Sequence, residues 1–296
     1  MKNYRVSLLF TLVIFLFVGC ANNPTVNTEK ISSTGLLWKI AKPGTTPSYI
    51  FGTMHSEDKR VLEVSEAVND AFVAANTFVM EMVLDDSNTK KIMQGMYFDD
   101  GRTLRSVTND KIYRQSVEAL AQKGMPEKIV RIMKPWAVFT VLSMPEQKTG
   151  LFLDAMLYEA ALKQGKDVVG LETTQEQLDV FDEMNMKTQV SLLETTLDSA
   201  DELNKILEET TDIYLSHDLL KIHDLNARYM ALLDDDVAEE FNQRLLLDRN
   251  INMATRMMPS LEKGNAFIAI GALHLPGRTG VLSIVKNAGY AVTPVD

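Results

Sequence analysis

Tyr49-Ile50-Phe51-Gly52-Thr53-Met54-His55 and Phe267-Ile268-Ala269-Ile270-Gly271-Ala272-Leu273-His274 lie near opposite ends of a 296-residue chain and share one pattern. Each is a short aromatic and aliphatic run closed by Gly-x-x-His. Runs of this kind, bounded by glycine, read as buried strands. The chain has only four histidines and 15 glycines, so the repetition singles out His55 and His274 as imidazoles carried at two strand ends.

Working outward, Leu36-Leu37-Trp38-Lys39-Ile40 and Ser48-Tyr49-Ile50-Phe51 flank a turn rich in proline and glycine, Lys42 to Pro47, which reads as a β-hairpin. Val64, Val68, Ala71, Phe72 and Ala75 keep helical spacing, and Thr77 to Val83 reads as a third strand. Residues 89–147 alternate helical stretches with Gly and Pro, which suggests a helical wall or lid. A helix from Leu153 to Gln164 and a buried strand from Asp167 to Leu171 follow. Thr174 to Gln177 fits a capping box, after which the text is helical to about Glu262 and is broken near Asp234-Asp235-Asp236. Strand Ala266–Ile270, helix Val281–Asn287 and strand Tyr290–Val295 close the chain. Strands at both ends of a helix-rich sequence give an α/β fold, a helix-rich single domain around a central mixed β-sheet.

Ahead of that domain, Lys2 and Arg5 precede an apolar run from Leu8 to Phe17 that stops at Gly19-Cys20. The run is shorter than the ~20 residues of a membrane span and has the form of an export signal. Leu16-Phe17-Val18-Gly19-Cys20 resembles a bacterial lipoprotein signal, in which the chain is cut before the cysteine and that cysteine is lipidated. The reading is residues 1–19 as signal peptide, 20–34 as a lipidated polar tether and 35–296 as the folded domain. An ordinary signal peptide followed by a chance cysteine is the other reading. Localisation would be the cell envelope, with Ala21 after Cys20 fitting the outer membrane of a Gram-negative host. Losing Lys2 and Arg5 lowers the basic count from 30 to 28 against 40 acids, a formal charge of about −12. So acidic a surface excludes nucleic acid as a partner. With Cys20 the single cysteine, stability rests on the hydrophobic core.

Four strand ends carry an ionisable residue: His55, Glu81, Glu172 and His274. In α/β sheets such ends commonly face one crevice. Two imidazoles and a carboxylate are a donor set that divalent transition metals accept, with a position left for water. Such a metal acidifies its water for attack on an amide or ester carbonyl, and the second glutamate would move the proton. Each residue also has a structural reading. The histidines would be hydrogen-bonded strand ends, Glu81 half of a buried salt bridge, Glu172 a complement to a helix dipole and Arg249 half of a surface ion pair. His217 and His223, six apart on one helix, would face different sides and stay on the surface.

Leu37-Trp38-Lys39, Phe51-Gly52-Thr53-Met54-His55, Gly170-Leu171-Glu172-Thr173 with Gln177, Asp248-Arg249-Asn250 and Gly271-Ala272-Leu273-His274-Leu275-Pro276-Gly277 resemble, in this order, the TraB/GumN family, which includes the Tiki proteases. The resemblance spans residues 36–295. It implies a fold related to erythromycin esterase and the haem-binding ChaN lipoproteins. Tiki proteins are membrane-tethered metalloproteases dependent on manganese or cobalt that trim the amino terminus of Wnt. By resemblance His55 and His274 take the metal or catalytic role, Glu81 matches an early acidic position, and Arg249 a recurring arginine that would hold a substrate carboxylate or an oxyanion. A Wnt substrate does not suit a bacterial lipoprotein.

The expectation is therefore a lipid-anchored metal-dependent hydrolase, peptidase-like, acting on a peptide or protein and tethered to the membrane through Cys20. His55, His274 and Glu81 would hold a divalent ion (Mn, Co or Zn), with Glu81, Glu172 and Arg249 as the catalytic set. A non-catalytic lipoprotein that holds haem or a metal is the alternative.

Overall fold

The structure, a computed structural model, describes residues 34–144, 149–199 and 202–295. The expected signal segment, Cys20 and the tether up to residue 33 lie outside the described residues.

Six strands form one mixed sheet in the order β4-β3-β5-β2-β1-β6. They are β1 (Leu37–Ala41), β2 (Ser48–Thr53), β3 (Thr77–Met80), β4 (Asp167–Gly170), β5 (Ala266–Gly271) and β6 (Ala291–Pro294). The hairpin is present: β1 pairs antiparallel with β2, Leu37 opposite Phe51, across a turn in which the Thr45 amide donates to Lys42 O at 3.2 Å. β6 pairs antiparallel with β1. The centre is parallel, with β2 beside β5, β5 beside β3 and β3 beside β4. Both faces of such strands must be covered, which is why β3 and the run Phe267-Ile268-Ala269-Ile270 are wholly buried. Phe72, from the helix Glu66–Ala74, meets Phe78 and Phe267 edge-on at 5.7 and 5.4 Å.

Asp167-Val168-Val169-Gly170 departs from the buried strand expected of it. It forms β4, an edge strand with only β3 beside it, and three of its four residues are exposed. β3 ends at Met80, three residues before its apolar text does, because the Glu81 carbonyl accepts the Glu172 amide at 2.7 Å and the chain turns. The capping box begins one residue early: Thr173 Oγ1 accepts from the Glu176 amide while Glu176 Oε2 accepts from the Thr173 amide.

The segment 86–143 is helical as expected, but it builds a second hydrophobic core rather than a loose cover. Trp136 stacks on Phe181 at 5.1 Å and donates to Asp182 Oδ1 at 2.7 Å, and Leu104, Leu120, Leu193 and Val237 are buried around it. This packing joins the segment to the helices Thr174–Asp182, Met186–Asp198 and Asp235–Asn242. The last of these runs through a π-helical turn, Gln243–Leu247, into the helix Asp248–Lys263 that leads to β5. No helix among the described residues is long and apolar enough to cross a membrane.

Candidate functional site

Because β2, β3, β4 and β5 run parallel, their carboxyl ends share one edge of the sheet, and His55, Glu81, Glu172 and His274 follow those ends. The chain leaves β3 towards β4 at one side and leaves β5 towards β6 at the other. Connections that part in this way open a crevice beyond the strand ends. Glu81 and Gly271 face each other there, and the Gly271 amide donates to Glu81 Oε1 at 2.7 Å.

Arg249 joins the two glutamates. Its Nη2 donates to Glu81 Oε2 at 2.7 Å and to Glu172 Oε2 at 2.6 Å, and its Nε donates to Glu172 Oε1 at 2.8 Å. Gln177 Nε2 adds a donor to Glu172 Oε2 at 3.1 Å. Arg249 and Glu172 are buried, whereas Glu81 keeps 14% of its side chain exposed. Burial alone would raise the Glu81 pKa, but the Arg249 charge, His274 and the Gly271 amide outweigh it and hold the carboxyl at about 2. Arg249 is in turn held firmly charged: burial opposes the charge, and the two carboxylates more than restore it. Its Nη1 is buried without a hydrogen-bond partner.

The two histidines are built alike from different parts. His274, in the short 3-10 turn Ala272–His274, has Nδ1 2.6 Å from Asn250 Oδ1 and Nε2 3.8 Å from Glu81 Oε1. Burial first, then the Arg249 charge, lowers its pKa to about 3, so the ring is neutral at physiological pH. His55 has Nδ1 3.2 Å from Asp154 Oδ2 and its ring 4.2 Å from that of Phe152, centre to centre. Burial lowers its pKa against the opposing pull of Asp154 and Glu81, while burial raises that of Asp154. His55 Nε2 is buried with no partner, although 15% of the side chain stays exposed. His55 and Glu81 are thus the parts of the cluster that solvent reaches.

All four strand-end residues and Arg249 thus meet at one sheet edge. His217 sits in the turn after the helix Leu203–Leu215 with φ 56°, and His223 lies on the next helix, Leu219–Met230, so they do not share one helix. Sequence reading missed Asp154, Phe152 and Thr53, whose hydroxyl donates to Asp154 Oδ1 at 2.7 Å. Asp154 stands in the first turn of the helix Leu153–Lys163, where an acid is ordinary.

Residues 36–294 match the TraB/PrgY/gumN family. The chain belongs to this family. Curated relatives include "Metalloprotease TIKI2" of Danio rerio, 24% identical over 96% of this chain and 67% of its own length. "Metalloprotease TIKI homolog" of Amphimedon queenslandica is 24% identical over 92% and 62%, and "Metalloprotease TIKI1" of Xenopus tropicalis 23% over 91% and 63%. The chain spans about two thirds or less of these relatives' length. No solved structure matches it.

The metal implied by such relatives can be tested against this family member's own residues. Among the described residues, no three His, Cys, Asp or Glu side chains form a group that could hold a metal ion. Glu81, the expected third ligand, has Oε1 on the Gly271 amide and Oε2 on Arg249. The donor chemistry nonetheless suits a cation. His55 Nε2 is a buried orphan, His274 Nε2 lies 3.8 Å from Glu81 Oε1, Glu81 and Glu172 share the guanidinium of Arg249, and Asp154 Oδ2 is buried without a hydrogen-bond partner. Buried carboxylates in excess of their partners are costly unless a cation joins them.

Proposed function

We propose that this TraB/PrgY/gumN member is a metal-dependent hydrolase of peptide-like substrates, held at the cell envelope by a lipid on Cys20. The observation that carries the reading is the pair of imidazoles at one sheet edge, His274 with Nδ1 2.6 Å from Asn250 Oδ1 and His55 with Nδ1 3.2 Å from Asp154 Oδ2 and Nε2 buried without a partner, beside the buried carboxylates of Glu172 and Asp154. The relatives named as metalloproteases support it. The metal, Mn, Co or Zn, would be held by His55 and His274 and would supply Lewis acidity and an acidified water.

The protein's own groups divide the remaining work. Of the two glutamates Glu81 is the more exposed, so it takes up the proton of the attacking water. The water oxygen joins the carbonyl carbon, the amide C–N bond breaks, and the proton passes from Glu81 to the leaving amine. Glu172 holds Arg249 in place through two hydrogen bonds, which fixes a positive charge behind Glu81.

The test is metal analysis together with peptide cleavage in Mn²⁺, Co²⁺ or Zn²⁺, comparing the parent with His55→Ala, His274→Ala and the double variant. Bound metal and cleavage should both fall to background in the double variant. Equal metal content and equal cleavage in parent and double variant would sink the proposal.

A further inference from the structure

We infer that Asp154 and Asn250 are positioning residues that lock His55 and His274 into the same tautomer, hydrogen on Nδ1 and lone pair on Nε2. The inference rests on the reading of these rings as metal ligands, but it is a statement about the protein without metal. A neutral imidazole has one lone pair, and the partner of one nitrogen decides which nitrogen carries it.

For His274 the chain of constraint is complete. Asn250 Nδ2 donates to the carbonyl of Thr279 at 3.0 Å, which fixes the amide and turns Oδ1 to the ring. Oδ1 can only accept, so His274 Nδ1, 2.6 Å away, carries the hydrogen. Nε2 is then bare and lies 3.8 Å from Glu81 Oε1, beyond hydrogen-bond range, so Asn250 alone sets the tautomer.

For His55 the constraint comes from the opposite side of the site. Asp154 Oδ1 already accepts the Thr53 hydroxyl, and Oδ2 is buried without a hydrogen-bond partner, with His55 Nδ1 3.2 Å away. Hydrogen on Nδ1 turns a positive edge to that carboxylate, whereas hydrogen on Nε2 would set a bare nitrogen against it. Phe152 holds the ring plane from one face. Two unrelated segments, the start of the helix Leu153–Lys163 and the helix Asp248–Lys263, therefore impose one protonation pattern on two rings. Partners of this kind are what orient metal-binding histidines, and their loss weakens metal affinity by roughly 10–100-fold.

Long-range ¹H–¹⁵N correlation spectra of metal-free, histidine-labelled protein at neutral pH read the tautomers directly. Both rings should show a protonated Nδ1 and an unprotonated Nε2. Asp154→Leu should disturb this signature for His55 alone and Asn250→Leu for His274 alone, while Asn250→Asp, which loses the donor to Thr279 O but keeps an acceptor at the ring, should retain the tautomer. Zn²⁺ titration by calorimetry should show a loss of about 10–100-fold in affinity for each leucine variant and a smaller one for Asn250→Asp. Hydrogen on Nε2 of either ring in the parent overturns the inference, and that spectrum is decisive even if a variant does not fold. If the tautomers are as stated and the parent binds no Mn²⁺, Co²⁺ or Zn²⁺, the positioning stands and the hydrolase reading falls.

Discussion

The amide of Gly271 donates to Glu81 Oε1 at 2.7 Å, so the acid that follows β3 is fixed to the Gly-x-x-His turn that follows β5. The second oxygen of Glu81 belongs to Arg249, whose own helix also supplies Asn250 to His274. Movement of any one of these five residues reaches the other four.

Arg249 is the group whose loss this arrangement tolerates least. Removing one partner of a buried ion pair leaves the other charge uncompensated and costs about 3–5 kcal/mol. Arg249→Met should lower stability by that order in urea unfolding, and Glu81→Gln added to it should recover part of the loss. Coinciding unfolding curves for parent and Arg249→Met would show that the three-residue pairing contributes nothing net.

Acid should destabilise the protein in two windows. His274 has its pKa lowered from 6.5 to about 3, so the unfolded chain binds its proton first, and stability held above pH 6.5 is lost as pH falls towards 3. Glu81, lowered from 4.5 to about 2, contributes stability present above pH 4.5 and lost between there and 2, on the order of 3 kcal/mol in full. Asp154, raised by burial, works in the opposite sense and partly offsets the second window. Unfolding free energies at pH 7.5, 5.5 and 4 should fall steadily, and His274→Gln should flatten the decline between 6.5 and 4.5. An unchanged slope in that variant would mean that His274 titrates normally.

The sheet edge was legible because its signals are local: an apolar run, a glycine and an ionisable residue, repeated where β2 and β5 end. The strand order was not, since nothing in the text of β4 says that its outer edge is open. Val168-Val169 reads as buried, yet the run lies at the rim. Asp154 was hidden for another reason. Its role depends on the segment before the Leu153–Lys163 helix, where Glu57 accepts the amides of Thr149 and Gly150 at 3.0 and 2.6 Å and so brings Phe152 and Asp154 beside His55. That contact spans more than 90 residues and leaves no periodic trace. The partnership of Arg249 with two glutamates was equally non-local, for each of the three is an ordinary helix or strand-end residue when read alone.

Lipid attachment is tested apart from the chemistry. Cys20→Ser should abolish incorporation of labelled palmitate and move the protein from the membrane to the soluble fraction, with unfolding of the domain unchanged within about 0.5 kcal/mol. Membrane recovery of the unlabelled serine variant equal to that of the parent would rule out a lipid on this residue as the anchor.

The glycines of the two Gly-x-x-His phrases make the last prediction, and their roles differ. A β-carbon on Gly52 would lie 2.8 Å from Leu275 Cδ1 and 3.1 Å from the Ala272 backbone, so this glycine lets β2 lie against the turn that carries His274. A β-carbon on Gly271 would instead meet Glu81 Oε1 at 3.3 Å and His274 Cδ2 at 3.4 Å. Overpacking of a tight core contact costs about 1–3 kcal/mol, because side chains leave their preferred rotamers or backbone shifts. Gly52→Ala should therefore lose stability in that range, since the Leu275 tip can rotate away but the Ala272 backbone cannot. Gly271→Ala should lose less stability and more metal affinity, because the groups it displaces belong to the site rather than to the core. Thermal unfolding and Zn²⁺ titration of the two variants separate the roles, and the same ranking in both measurements would show that the glycines serve one purpose.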